Sequence, residues 1–264
     1  MELKLPNCEK NMDQLKKNIN LNNYNNEFSK ALLDSENIFF DIYQHCNFEF
    51  DLNCGSYLFD GKNYEYSLEM YDKQKLLFET SKQINSVLEI GVYMGHSLLI
   101  ILLANPNVTF TGIDIDEKYS AKAINLLSSY FPNSKLEFIH SDSLKVLKKI
   151  NKKYDLFHID GSHSSLIIFK ELKKIFKLVN NQKLRVIFDD VDTCQNVIEA
   201  LDRSFKIEKI IYAESKWRNC YLEVDLNKKI IKNLFLFHFF FYTSNYSIFY
   251  KQYKYKIKKL IKKS

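Results

Sequence analysis

Five short runs rich in β-branched and aromatic residues alternate with longer helical patterns from about residue 84 onward. Each run is followed by a helical pattern before the next run begins, and this order implies a parallel sheet with helices on both faces. The sequence therefore predicts a doubly wound, mostly parallel α/β sheet. The runs are 86–91, 108–114, 135–140, 154–160 and 184–190, and helices are expected at about 96–104, 117–130, 143–150, 164–179 and 193–203.

The segments before the first strand and after the fifth do not follow the alternation of strands and helices. Two later runs, FKIEKIIYAE and NCYLEVDL, flank the turn-like SKWR and are predicted to pair as a C-terminal antiparallel hairpin at one edge of the sheet. The asparagine-rich NINLNNYNNEF is predicted to be a loop, and helices are expected at 29–46 and 65–84. We therefore divide the chain into an N-terminal lid or substrate-recognition segment (1–63), the α/β domain (64–226) and a basic, aromatic tail (227–264).

Positive charge is concentrated in the tail. The formal net charge is +6, but ten lysines and no acidic residue follow Asp225, so the preceding residues sum to about −4. Three interpretations of NLFLFHFFFY (233–242) and the basic sequence after it stay open: a helix packed on the domain, an interfacial segment attracted to anionic lipid, or a segment that binds single-stranded nucleic acid through lysine and tyrosine. Only three of the 38 basic residues are arginine. Since base-specific recognition relies on arginine, this balance argues against nucleic acid as a partner.

Cysteine usage and hydropathy indicate where the protein works. The five cysteines are an odd number, are widely scattered and form no C-x-x-C pair, so we expect free thiols rather than disulfides or a zinc site. The N-terminus has no apolar signal-peptide core, and no segment reaches the roughly 18 apolar residues of a membrane span. We therefore expect a cytoplasmic protein, with peripheral membrane contact as the alternative.

The first strand-to-helix turn, LEIGVYMGHS, places two glycines where ligands bind in open α/β sheets. Gly91 and Gly95 would let the backbone approach a ligand closely. The next strand ends at Asp114, nineteen residues after Gly95, where a carboxylate can accept hydrogen bonds from ribose hydroxyls. A plain turn is the alternative interpretation, but the glycines together with this acid favour a nucleoside-containing cofactor.

The loop lacks the G-x-G-x-x-G fingerprint of dinucleotide sites. It resembles instead the E/D-x-G-x-x-x-G loop of class I S-adenosylmethionine (SAM)-dependent methyltransferases, and the resemblance extends over about residues 84 to 226. It implies a Rossmann-like sheet with SAM as cofactor, Asp114 on the ribose, Ile115 against the adenine ring and Asp142 near the adenine amino group. The implied cofactor-binding residues are Glu89, Gly91, Gly95, Asp114, Ile115 and Asp142.

Three aspartates follow two neighbouring strands. YDLFHIDGSH ends the fourth strand with Asp160, and LRVIFDDVD ends the fifth with Asp189 and Asp190. The carboxyl ends of parallel strands lie at one edge, so these carboxylates should converge and require a cation or protons to compensate their charge. Oxygen ligands of this kind suit Mg²⁺. The alternative is that Asp189 and Asp190 cap the following helix and Asp160 only makes a turn.

This set resembles the metal-dependent O-methyltransferases, and most closely the branch of macrolide-sugar and cephalosporin-pathway methyltransferases with a D-G-x-H motif. The resemblance implies that Asp160, Asp189 and Asp190 hold the metal, with Asp160 also part of the catalytic set, and that His163 is the general base. His158 lies within a strand and is predicted to be packed in the interior. His96, just beyond the glycine loop, is an alternative cofactor contact.

The combined expectation is a SAM- and Mg²⁺-dependent O-methyltransferase acting on a hydroxyl of a sugar, glycan or small metabolite. Methylation of a nucleobase nitrogen is disfavoured because the fourth strand carries D-G-S-H rather than an N/D-P-P-Y motif. The alternative is a catalytically silent module that uses a methyltransferase fold and binds a membrane surface or nucleic acid through its basic tail.

Overall fold

Seven strands form one sheet in this computed structural model, which describes residues 12–205, 207–214, 217–226 and 230–245. The strand order is β3-β2-β1-β4-β5-β7-β6; β1 to β5 run parallel, and β7 runs antiparallel to both β5 and β6. The doubly wound, mostly parallel sheet and its terminal hairpin are therefore confirmed. The strands are β1 Ser86–Ile90, β2 Thr109–Asp114, β3 Lys135–His140, β4 Leu156–Ile159, β5 Lys183–Phe188, β6 Lys209–Ala213 and β7 Asn219–Asp225.

Ten α-helices and one 3-10 turn, Leu68–Met70, surround the sheet in the described residues. The helices are α1 Asp13–Asn20, α2 Glu27–Asp34, α3 Glu36–His45, α4 Tyr71–Ser81, α5 His96–Ala104, α6 Ser120–Tyr130, α7 Ser143–Val146, α8 Ser165–Ile175, α9 Val191–Phe205 and α10 Ile230–Ser244. Helix α5 is buried along most of its length, whereas α10 packs an apolar face on α8 and α9 rather than on the sheet.

The predicted helix 29–46 is wrong in one respect, because Ser35 divides it into α2 and α3. The Ser35 hydroxyl donates back to the carbonyls of Ala31 and Leu32, a local bond that competes with helix continuation. The predicted loop at 18–28 is also only partly correct. Helix α1 extends to Asn20, and Asn26 caps α2 by accepting a hydrogen bond from the Ser29 amide at 3.1 Å.

Two other helices are shorter than predicted. The expected helix at 65–84 begins as an α-helix only at Tyr71, and the expected helix at 143–150 is the single turn α7. Lys149 and Ile150 still bond to the carbonyl of Val146, so the chain continues past α7 in tight turns rather than in regular helix.

The interior consists of two hydrophobic clusters. One joins α1–α3 to α4, α5 and α6 through buried residues such as Phe28, Leu77 and Leu98, so residues 12–63 share a core with the sheet. The other joins α8 and α9 to α10, where Phe237 and Phe241 are fully buried. The described part of the tail therefore packs on the domain by one of its faces.

The described cysteines Cys46, Cys54, Cys194 and Cys220 are free thiols, as predicted, and Cys8 lies outside the described residues. Burial raises the pKa of Cys46 to about 11 and that of Cys220 to about 12, which keeps both protonated and unreactive.

None of the helices in the described residues combines the length and the apolar character that crossing a membrane requires.

Candidate functional site

A cavity of about 660 Å³ opens at the carboxyl ends of β1, β2, β4 and β5. This is the edge where open α/β sheets bind their ligands. It brings together Gly91, Asp114, Ile115 and Asp142 from the predicted cofactor set with Asp160, His163, Asp189 and Asp190 from the predicted metal and base set. The remaining wall comes from 53–56, Lys73, Tyr93, Glu171 and Trp217, among others.

Gly91 allows two strand ends to touch. Its φ is +88°, and a Cβ there would lie 2.4 Å from the carbonyl oxygen of Asp160. The Asp160 amide in turn donates to the Ile90 carbonyl at 2.8 Å. Only glycine permits this approach, so Gly91 sets the position of Asp160 beside the glycine loop.

Four non-glycine residues of the cavity wall have left-handed backbones: Asn53 (φ 65°), Tyr93 (φ 48°), Asp190 (φ 51°) and Trp217 (φ 58°). Such conformations are costly for residues with a bulky side chain and cluster at functional sites. Asp190 occupies the sharp turn between β5 and α9, and the strained turn presents its carboxylate to the cavity.

Asp114 holds the glycine loop in place. Its Oδ2 accepts hydrogen bonds from the amides of Val92 and Tyr93 at 2.8 and 2.9 Å, and its Oδ1 accepts from the Asp116 amide at 3.0 Å. The carboxylate lines the cavity, so its remaining lone pairs face the space where ribose hydroxyls are expected. The sequence suggested a cofactor contact, and the structure adds this second role in organising the loop.

Ile115 and Asp142 lie where the adenine ring is expected. Ile115 is 74% exposed although it is apolar, and it lines the cavity. Asp142 also lines the cavity, while its Oδ1 accepts from the Lys145 amide at 3.0 Å and thereby caps α7. Both positions are compatible with the roles that the resemblance implies.

Glu89 and Gly95 do not line this cavity. Gly95 (φ +71°) begins α5, and a Cβ there would lie 3.1 Å from the Cβ of Ala123, so this glycine permits close packing of α5 on α6. Glu89 is fully buried and accepts hydrogen bonds from Ser97 and from His158 Nδ1, the latter at 2.7 Å. Their predicted contacts with a cofactor stay predictions.

His158 is packed in the interior, as predicted. Since its Nδ1 donates to Glu89, its Nε2 accepts from the Tyr57 hydroxyl at 2.8 Å, and that hydroxyl accepts from Asn219. The buried chain Glu89–His158–Tyr57–Asn219 thus joins β1, β4, the N-terminal segment and β7. It fixes the position of Tyr57 behind the acid cluster, which consists of Asp160, Asp189 and Asp190.

His96 is a core histidine, and the alternative that it contacts the cofactor is not supported. Its Nδ1 lies 2.6 Å from the Ser56 hydroxyl and its Nε2 lies 2.7 Å from the Tyr64 hydroxyl. Burial lowers the pKa of His96 to about 3, so the ring is neutral at physiological pH. It anchors the N-terminal segment to α5.

Lys73 enters the acid cluster from α4. Its side chain is 2% exposed, and its ammonium donates to Asp189 Oδ1 at 3.1 Å and lies 4.4 Å from the centre of the Tyr57 ring. Asp160 shares a hydrogen bond with Asp189, and its pKa is raised well above the usual range by burial and by the Asp189 charge, against the opposing effect of Lys73. One lysine therefore only partly compensates the crowded carboxylates.

His163 pairs with the third carboxylate. Its Nδ1 lies 3.0 Å from Asp190 Oδ2, and its side chain is 72% exposed at the cavity mouth. Burial followed by repulsion from Asp189 raises the pKa of Asp190, while Lys73 and His163 oppose the rise. A carboxylate that holds one ring nitrogen orients the other, as in known catalytic pairs of histidine and aspartate.

Asp160, Asp189 and Asp190 all line this cavity, and carboxylate oxygens are donors that suit a divalent cation, although Lys73 already pairs with Asp189. Within the described residues, however, no three carboxylate, imidazole or thiolate groups are arranged to enclose a metal ion. The binding of Mg²⁺ by Asp160, Asp189 and Asp190 therefore stays a prediction.

Among the wall residues that sequence reasoning missed are Lys73, Glu171 and Trp217. Lys73 lies on the same buried face of α4 as Leu77, and a lysine among buried positions of an amphipathic helix is a detectable signal. Trp217 is the only tryptophan of the chain and lies in the SKWR turn, which the sequence identified only as a turn.

Comparisons with known proteins point to one family. A family model described as O-methyltransferase matches residues 74–233. An Arabidopsis thaliana protein, whose name assigns it provisionally to the caffeoyl-CoA O-methyltransferases, is 37% identical over 98 residues, which are 36% of this chain and 41% of that protein. The matches span less than half the length of the curated relatives.

Solved structures share the fold. Cofactor-bound Rv0187 from MTB has a TM-score of 0.55 at 14% identity and covers 74% of this chain and 95% of that one. The methyltransferase PaMTH1 of Podospora anserina, solved with bound SAH, has a TM-score of 0.51 at 12% identity and covers 70% and 86%. At these identities the likeness establishes the architecture alone.

Proposed function

The chain belongs to the O-methyltransferase family, and from this premise we propose that it transfers the methyl group of SAM to a hydroxyl of a sugar, glycan or small metabolite. We propose further that Mg²⁺ assists the reaction and that His163 is the general base. The macrolide-sugar branch suggested by D-G-S-H belongs to this proposal too, because the comparisons identify the family without a branch.

One observation carries the proposal. A single cavity, of a size typical for small-molecule sites, is lined both by the predicted cofactor residues Asp114 and Ile115 and by the acid–histidine pair Asp190 and His163. A cofactor held by the first set and a hydroxyl held at the second would therefore share one enclosed space. In-line displacement needs this proximity above all.

The cofactor end would be formed by the glycine loop and the turn after β2. Asp114 would accept hydrogen bonds from the ribose, and Ile115 would pack on the adenine ring. When bound, SAM supplies a methyl group on a positively charged sulfur. The task of the chain is to orient that group toward the acceptor and to exclude water.

The acceptor end would be formed by the acid cluster. Asp160, Asp189 and Asp190 would hold the divalent cation, which when bound lowers the pKa of an acceptor hydroxyl. Lys73 keeps Asp189 in place and offsets part of the cluster's charge. His163, oriented by Asp190, would accept the hydroxyl proton and release it to solvent, since its side chain lies at the exposed mouth.

The reaction is tested with purified protein, methyl-labelled SAM and hydroxyl-bearing metabolites and glycans extracted from the host. We expect a product that carries one labelled methyl group on oxygen, detected by mass spectrometry. Label found only on nitrogen or carbon atoms of the products would contradict O-methylation. The acceptor identified in this way then serves for the activity measurements below.

Replacing Asp114 by alanine is expected to weaken SAM binding at least about tenfold. The variant loses the ribose acceptor and also the bonds to the amides of Val92 and Tyr93, and a hydrogen bond to a charged group contributes about 1.5–3 kcal/mol. Isothermal titration calorimetry measures the affinity, and Trp217 gives a second signal because the only tryptophan lines the cavity.

Asp116→Ala is the matched control for this variant. Asp116 lies two residues further along the same turn and is exposed, and its carboxylate accepts only from the Lys118 amide in the described chain. Its replacement should leave SAM affinity unchanged. Preferential binding of NADH over SAM by the wild-type protein would contradict the cofactor assignment.

A further inference from the structure

Glu171 is a buried carboxyl group that faces the cavity without a complete set of partners. It lies one turn after Ile167 on α8, and both residues line the cavity beside Asp142 and Ser143. Glu171 is 1% exposed; its Oε1 accepts from the Ser143 hydroxyl, and its Oε2 has no hydrogen-bond partner in the described part of the chain. A buried oxygen left in this way is costly unless a ligand satisfies it.

We propose that Glu171 is a specificity-determining residue that recognises the 6-amino group of the SAM adenine ring. The inference rests on the proposed function, since it presupposes SAM in this cavity. Adenine presents an amino donor where hypoxanthine presents a carbonyl acceptor, so an ionised carboxylate, which only accepts hydrogen bonds, distinguishes the two bases. Glu171 lies next to Asp142, and burial, with Asp142 as a further cause, raises its pKa to about 7 against the effect of Ser143.

The test compares two ligands by calorimetry: S-adenosylhomocysteine and S-inosylhomocysteine, which differ at this one group. Wild-type protein should prefer the adenosyl compound. Glu171→Leu should lower the affinity for it by about tenfold and bring the ratio of the two affinities near one. Glu171→Gln keeps the shape, can present either an acceptor or a donor, and should retain part of the affinity. Glu199→Gln, on an exposed glutamate of α9, is the control.

Each outcome decides a different question. Failure of the wild-type protein to bind either compound would contradict the proposed function itself. Wild-type preference that persists unchanged in Glu171→Leu would overturn only the role of Glu171. Loss of preference in Asp142→Asn but not in Glu171→Leu would assign recognition to Asp142 and likewise overturn the inference. Thermal unfolding of each variant confirms that the protein is folded.

A second, independent observation concerns the outer face of α10. While Phe237 packs inward, Ile231, Phe235 and Phe239 lie one helical turn apart on the opposite side and are 83%, 70% and 50% exposed. Three large apolar side chains aligned in this way form a continuous stripe rather than scattered surface residues.

Lysines lie on the neighbouring helix α8, and Lys232 lies on α10 itself, next to Ile231. Lys173 contacts the Phe169 ring, which itself packs against Phe237 and His238 of α10. The pKa of the Lys174 ammonium is lowered, first by burial and then by the positive charges of Lys148, Lys177 and Lys173. Within the described residues, none of these four lysines forms a salt bridge. The sequence after Asn245 adds seven lysines and no acidic residue.

We infer that this face of α10 binds the surface of a membrane rich in anionic lipid. Apolar side chains would enter the headgroup region while unpaired lysines contact lipid phosphates and carboxylates, a combination typical of interfacial helices. The charge complementarity favours lipid over a second copy of the chain, whose same face carries the same charge.

The test is cosedimentation of the full chain with vesicles of phosphatidylcholine alone or mixed with phosphatidylserine. We expect binding only to the mixed vesicles, weakening with salt. Two variants should each lower binding at least about tenfold. One is the triple variant Ile231→Ser, Phe235→Ser, Phe239→Ser, and the other is the double variant Lys173→Glu, Lys177→Glu. Leu21→Ser, at a leucine 61% exposed on the N-terminal segment, is the control and should bind normally.

Point substitutions are preferable to deletion of the tail, because removing α10 would expose Phe169, Phe205 and the rest of the second core cluster. Equal binding to both vesicle types, or normal binding by the triple variant, would overturn the inference. So would a dimer in sedimentation velocity that the triple variant abolishes, since the stripe would then be an interface between two copies.

Discussion

Removing divalent cations with a chelator is expected to lower methyl transfer by more than about 1,000-fold, because Lewis-acid assistance contributes several kcal/mol and each 1.4 kcal/mol is tenfold in rate. SAM should still bind, since Asp114 and Ile115 lie outside the acid cluster. Added Mg²⁺ should restore activity. The rate is measured with the acceptor identified by mass spectrometry, and SAM affinity by calorimetry.

Asp160→Asn should behave like chelation. Burial and the Asp189 charge raise the pKa of Asp160, and asparagine keeps the shape of the side chain while it lacks the negative charge. The fold should therefore tolerate the change, while the charge that holds the ion is lost. A readout independent of activity is thermal unfolding: Mg²⁺ should raise the Tm of the wild-type protein and not that of the variant.

Asp192→Asn is the control for this variant. Asp192 is 77% exposed, pairs with Arg218 outside the cavity and lies close to the cluster in sequence, so its replacement should preserve both activity and the Mg²⁺-dependent Tm. Full activity in the presence of a strong chelator would contradict the metal proposal. Compensation of the cluster's charge would then belong to Lys73, and Lys73→Met would be the variant that loses activity.

The sequence alone predicted where the parallel strands end and which acidic residues lie at those ends. Strand-like runs identified the sheet, and because parallel strands end at one edge, Asp114, Asp160 and Asp190 could be assigned to one site before any coordinates. This inference needed only the order of elements. It worked because backbone topology, rather than side-chain detail, determines which residues meet at that edge.

Residues whose role depends on packing between distant segments were harder to predict. Lys73 meets Asp189 across 116 positions of the chain, and Tyr57 meets Asn219 across 162. Neither pair belongs to a local pattern. Gly91 shows a subtler limit: the sequence predicted that the backbone approaches a ligand there, whereas the group that the structure places against Gly91 is the backbone of Asp160.

His163→Ala is expected to slow turnover by about 10²–10⁴-fold, the usual contribution of a positioned general base. SAM affinity and the Mg²⁺-dependent rise in Tm should remain, because the side chain is 72% exposed and the three proposed metal ligands stay in the chain.

Two further results separate a base from a merely structural residue. Added imidazole should restore part of the rate in His163→Ala, because the open mouth of the cavity leaves room for a small base. His140→Ala is the control: His140 is 47% exposed, pairs with Glu117 at 3.1 Å and lies outside the cavity wall. Near-normal turnover in His163→Ala would contradict the assignment, and proton transfer directly to solvent would then replace it.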